Sequence, residues 1–169
     1  MNAEQIIALL GLTPLDPEGG YFRQTYKSPN MLPGNILPSR YAGNERSTAT
    51  AIYFLLTRDT RSLLHRLNSD EIYHFYLGDP VQLVTLYPDG HEEIIILGND
   101  IDHGHTLQTV IPQGVWQGSS LVGDGEYALL GTTVAPGFEI DDFELASREI
   151  LHNLYPQLLH AIIDQLTLS

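Results

Sequence analysis

The chain has 169 residues, 43% of them apolar and 17% charged, enough for one ordinary domain with its own core and unlike a disordered or fibrous composition. Eight basic residues against 21 acidic ones give a net charge of −13, which repels phosphate backbones and argues against nucleic-acid and anionic-membrane partners. Cysteine is absent, which excludes disulfides, thiolate metal sites and cysteine nucleophiles.

In chain order, Asn2 and Gln5 form a capping-box pair ahead of Ile6, Ile7, Leu9 and Leu10, and Gly11 suits the position just past a short helix. The N-terminus lacks a basic leader region, and no apolar run reaches the about 18 residues of a membrane span, so a cytoplasmic protein is expected. From Thr13 to Asn44 the chain is rich in loops, with Gly19–Tyr26 as a candidate strand.

Short β-rich runs follow at Thr48–Thr57, Ser62–Leu67, Glu71–Leu77, Val81–Tyr87, Glu92–Leu97, Thr106–Ile111, Val115–Gly118 and Tyr127–Val134. Turn residues such as Pro88-Asp89-Gly90 separate them. Many short, evenly spaced strands predict an all-β sandwich or barrel, with its core over 47–135, an N-terminal arm over 1–46 and a helical tail over 141–167. In that tail the pattern predicts a helix from Phe143 to Leu151. A second begins at Pro156, with Leu158, Leu159, Ile162, Ile163 and Leu166 as its apolar stripe.

The densest polar cluster runs from His65 to Gly78, across a strand, a turn and a strand. Alternation puts Glu71, Tyr73 and Phe75 on one face of the second strand, and His74 and Tyr76 on the other. A hairpin brings His65 and Glu71 to the same interior, as a base with its orienting carboxylate or as two metal ligands. Pro112-x-Gly114 makes a tight turn ahead of Trp116 and Gln117, which point to opposite faces. Trp116 is read either as core or as a stacking wall for a ligand, and Gln117 as a hydrogen-bonding group. His103 and His105 sit in a polar turn and are read as an exposed loop.

These clusters resemble the two cupin motifs. His65, Leu67, Glu71 and Gly78 stand at the spacing of the first, and Pro112, Gly114 and Gln117 at that of the second. Leu67 and Gln117 occupy positions that are histidine in the pattern. The segments Pro17–Tyr26, His65–Gly78 and Pro136–Glu144 extend the resemblance over nearly the whole chain to the uncharacterised cupin family 5, a domain of unknown function. The resemblance implies a double-stranded β-helix, or jelly roll, and a homodimer.

That family is similar to the dTDP-4-dehydrorhamnose 3,5-epimerases, metal-free cupins that use a histidine base and a tyrosine acid. Leu64-His65 resembles the segment carrying their base. The resemblance thus implies an isomerase or epimerase on a sugar-like carbonyl compound or sugar nucleotide. His65 would be the general base, Glu71 would tune it, and the acid would come from among Tyr53, Tyr73, Tyr76 and Tyr127, here assigned to Tyr76. Arg23 would bind an anionic tail, and Tyr53, His74, Trp116, Gln117 and Tyr127 would contact the ligand. No cofactor is expected. Two other readings stay open: a non-catalytic binding or sensing barrel, and a metal-dependent enzyme holding a divalent ion with His65, Glu71, Gln117 and a rescuing His74.

Overall fold

A computed structural model describes residues 1–155 and 160–168. After helix α1 (Ala3–Leu10) come β1 (Thr13–Pro14), β2 (Tyr21–Lys27), β3 (Met31–Leu32) and β4 (Arg46–Ser47). The long strands follow: β5 (Thr50–Thr57), β6 (Ser62–Leu67), β7 (Asp70–Gly78), β8 (Val81–Leu86) and β9 (Glu92–Leu97). The chain continues with β10 (Gln108–Ile111), β11 (Trp116–Leu121), β12 (Tyr127–Ala135) and β13 (Phe143–Leu145), and ends with α2 (Arg148–Leu154) and α3 (His160–Gln165). The helix cap forms as its residues require: Asn2 and Gln5 bond each other's backbone, and Gly11 closes the helix at φ 61°.

Two antiparallel sheets face each other, with strand orders β1-β2-β5-β12-β7-β10 and β13-β6-β11-β8-β9. This is a jelly roll. The arm preceding the long strands contributes β1 and β2 to the first sheet, and the segment after them contributes β13 to the second. Among the described residues no helix is long and apolar enough to cross a membrane.

Alternation along each strand decides what faces the interior. Phe54, Leu56, Tyr73, Phe75, Leu83 and Leu130 point inward and form the main core. On the outer faces, Leu55 and Leu129 are covered by Ile6 and Leu12 of the N-terminal helix region. Leu64, Val84, Leu86 and Trp116 are covered by Leu151, Tyr155, Ile163 and Leu166 of the C-terminal segment. Both faces of β5 are therefore apolar, and its sequence reads as a continuous run.

The tail differs from the expectation of a helix over 143–151. Phe143 to Leu145 form a strand, paired to β6 in the register Phe143↔Leu67 and Leu145↔His65, and the helix starts at Arg148. The exposed backbone edge of β6 supplies ladder hydrogen bonds that outweigh local helix preference in so short a segment. Of the expected apolar stripe, Ile163 and Leu166 are buried and Ile162 packs against them. Pro156, Leu158 and Leu159 lie outside the described residues.

Candidate active site in the barrel mouth

The inward-facing row changes character along the barrel. On β5, Phe54 and Leu56 are core, whereas Thr50 and Ile52 line a cavity of about 420 Å³. On β12, Ala128 and Leu130 are core, whereas Thr132 and Val134 line that cavity. The register Val134↔Glu71 then places the first inward residue of β7 at the same level. The polar lining consists of Glu18, Gln24, Thr50, His65, Glu71 and Thr132. Leu15, Phe22, Ala51, Ile52, Leu67, Val134 and Phe138 form the apolar part. Next to it a second hollow of about 370 Å³, bounded by Pro14, Ile140 and Phe143, shares Glu18, Phe22 and Phe138 with the cavity and forms its lip.

His65 is 1% exposed, and its ring stacks on Phe143 with centroids 5.2 Å apart. Its Nδ1 lies 2.8 Å from the carbonyl oxygen of Leu63. A carbonyl only accepts, so Nδ1 carries the proton and, in the neutral ring, Nε2 keeps its lone pair. Glu18 Oε2 lies 3.9 Å from Nε2, beyond hydrogen-bond length.

Glu71 is buried, and burial pushes its carboxyl above the ordinary glutamate range, with the charge of Glu18 adding to the effect. His65, Thr132 and Gln117 pull the other way. The side-chain amide of Gln117 donates to Glu71 Oε2 at 2.7 Å, while Gln117 Oε1 remains buried without a hydrogen-bond partner. Gln117 reaches this position because β11 pairs with β6 in the register Gln117↔His65, and the pairing shifts directly after it.

Glu18 was given no role in the sequence-based expectation. It sits in a tight loop closed by bonds from Leu15 N to Gly20 O and from Gly19 N to Leu15 O. Gly20 has φ 75°, and a Cβ there would lie 2.8 Å from the ring of Phe54. The Glu18 carbonyl accepts from Leu63 N, and its carboxylate Oε1 accepts from Ser62 Oγ at 2.7 Å. The run Pro17-Glu18-Gly19-Gly20 is the one available signal, since an acidic residue amid turn formers is aimed by backbone rather than by periodicity. Thr50 and Thr132 were recoverable from inward parity with Phe54 and Leu130.

His65, Glu71 and Gln117 converge as expected, but several other expected ligand contacts do not join them. Tyr76 is 49% exposed on the outer face of β7, because it shares the parity of Ile72 and His74. It packs edge-on against Tyr53, and Arg23 lies over the Tyr53 ring at 5.5 Å, so all three are outside the barrel. His74 is bonded there to Thr133 and Gln108. Tyr127 packs with the cluster beneath α1. Trp116 is buried under the C-terminal segment, with Arg66 stacked over it at 4.4 Å, and is no wall of the cavity. Of the four tyrosines considered as acid, only Tyr73 faces inward. It belongs to the core, and burial raises its hydroxyl pKa well above the ordinary value. His103 is exposed and bonded to Asp100.

A family model described as Cupin superfamily (DUF985) matches residues 4–146. An uncharacterized protein of Saccharomyces cerevisiae, YML079W, is 32% identical over 149 residues, covering 83% of this chain and 74% of the yeast protein. A solved hypothetical protein from Leishmania major superposes with a TM-score of 0.89 at 34% identity, covering 100% of both chains. A cupin 2 conserved barrel domain protein from Rhodopseudomonas palustris superposes with a TM-score of 0.58 at 12% identity, covering 94% of this chain and 90% of the other, and shares the fold alone.

The metal that many barrels of this fold hold is a poor fit to these residues. Leu67 offers no donor atom, and the Gln117 amide points its hydrogens at Glu71. Among the described residues no group of three His, Cys, Asp or Glu side chains is placed to hold a metal ion.

Proposed function

The chain belongs to the DUF985 family of the cupin superfamily, and on that premise we propose that its barrel mouth is the site of a small-molecule isomerase acting by proton transfer on a sugar-like carbonyl compound. The observation that carries this reading is the hydrogen bond from His65 Nδ1 to the Leu63 carbonyl, which leaves Nε2 as a base at a cavity it shares with Glu71. Glu71, with its raised pKa, supplies the matching acid.

In the proposed step, His65 Nε2 takes the proton from the carbon next to the carbonyl. The released electron pair forms the carbon–carbon double bond, and the carbonyl oxygen takes a proton from Glu71. The Glu71 carboxylate then recovers a proton from the neighbouring hydroxyl, and His65 returns its proton to the former carbonyl carbon. Protons and electrons balance without a cofactor. Among the described residues no tyrosine lines the cavity, so the single base on one face favours isomerisation over the two-sided proton exchange of an epimerase.

The test is deuterium incorporation from heavy water into free aldoses and ketoses, followed by proton NMR. Wild type is expected to exchange the α-proton of a bound sugar, and His65→Ala to lose that exchange. Exchange retained in His65→Ala overturns the assignment of the base. The mostly apolar lining favours a second reading, a barrel that binds without turnover. Saturable binding of a sugar with no exchange would select it.

A further inference from the structure

Resting on the reading that this cavity holds a small carbonyl compound, we infer that Glu18 sets the ligand class: uncharged and rich in hydroxyl groups, with phosphorylated and carboxylated compounds rejected. Two independent features converge on this. The first is the charge of the lining, which among the described residues holds two carboxyl side chains and no lysine or arginine. Nearby cations are engaged elsewhere. Arg46 is locked in a bidentate pair with Asp142, at 2.7 and 2.8 Å, and Arg23 lies over Tyr53 outside the barrel. While His65 is neutral, an anion entering the cavity therefore meets carboxylate repulsion with no compensating cation among the lining residues.

The second feature is an excess of hydrogen-bond acceptors. Glu18 Oε2 and His65 Nε2 face one another across 3.9 Å without a bond between them. A ligand that fills the cavity shuts water away from these two acceptors, so it binds well only if it brings donors of its own. Hydroxyl groups do so without adding charge. Glu18 is built for such a role, since its backbone carbonyl and its other carboxylate oxygen are both tied to β6, through Leu63 N and Ser62 Oγ.

This assignment departs from the expected sugar nucleotide, whose diphosphate would need cations that the cavity lacks. Apolar ring faces of a sugar would rest on Phe22 and Phe138.

The experiment is calorimetric titration of wild type and Glu18→Gln with D-glucose, D-mannose and D-fructose and with the phosphate of each. At least one neutral hexose is expected to bind saturably, with its phosphate at least about tenfold weaker. Glutamine keeps an oxygen for Ser62 but removes the charge, so Glu18→Gln should narrow that gap about tenfold. Wild type alone gives a second readout that does not depend on the variant folding: the gap should persist in added salt, because charges inside the cavity are screened little. A phosphate that binds as tightly as its sugar overturns the inference. So does the absence of binding by every neutral hexose, or an unchanged gap in a folded Glu18→Gln. Binding of a neutral hexose without deuterium exchange sinks the isomerase reading and leaves this inference standing. Exchange seen only on a phosphorylated sugar does the reverse.

Discussion

Replacing Gln117 with methionine removes the one side-chain amide that donates to buried Glu71 while keeping the volume of the side chain. A hydrogen bond to an ionised group contributes about 1.5–3 kcal/mol, and one to a neutral group about 1 kcal/mol. The cost of Gln117→Met therefore depends on the charge of Glu71. Folding raises the Glu71 pKa, so the folded state holds that proton more tightly than the unfolded chain does. The stability this contributes is fully present below the unfolded value and is lost as pH rises through the folded one. Without the amide, the folded value moves higher still, and each further unit costs about 1.4 kcal/mol on the alkaline side. Urea unfolding should give a penalty of about 1 kcal/mol near the ordinary glutamate value of 4.5, growing toward about 1.5–3 kcal/mol on the alkaline side once Glu71 ionises in the folded state. For a domain of this size the larger penalty lowers Tm by about 3–12 °C. A penalty that is the same at both pH values, or smaller at the alkaline one, would refute the reasoning.

Glu71→Gln keeps an acceptor for Gln117 and removes the titrating group, so the decline in stability with rising pH should flatten in this variant, as read from urea midpoints between acid and alkaline buffers. If the decline stays as steep, Glu71 is not its source. Asp142→Asn leaves the buried Arg46 guanidinium without its counter-charge and is expected to cost about 3–5 kcal/mol in the same assay. A cost below about 1 kcal/mol would show that the pair is solvated in solution.

Much of the barrel was legible because its strands are short β-rich runs separated by clear turn residues, alternating where one face is buried and continuously apolar where both faces are covered, as in β5. Ser62–Leu67 and Glu92–Leu97 form strands with the expected bounds, and the other runs differ by one to three residues at their ends, most at Val115–Gly118, where the strand is Trp116–Leu121. The convergence of His65, Glu71 and Gln117 was legible from spacing, since fixed turn lengths between paired strands set which residues meet. Tyr76 was misplaced although its parity with His74 already set it on the outer face. The strand at Phe143 was not legible, because three residues carry no periodicity and the ladder partner lies on β6. Glu18 was missed because a loop residue is aimed by its backbone bonds and glycine turns, which leave no repeating pattern. The Arg46–Asp142 pair joins positions 96 residues apart, and nothing local in the sequence links them.

The measurement that bears most directly on the account is the protonation pattern of the His65 ring, read from proton–nitrogen correlation spectra of wild type, with His65→Gln used to assign its signals. The hydrogen bond to the Leu63 carbonyl predicts that neutral His65 carries its proton on Nδ1 and leaves Nε2 bare toward the cavity. A neutral ring protonated on Nε2 would take the base away from the substrate and contradict the proposed mechanism.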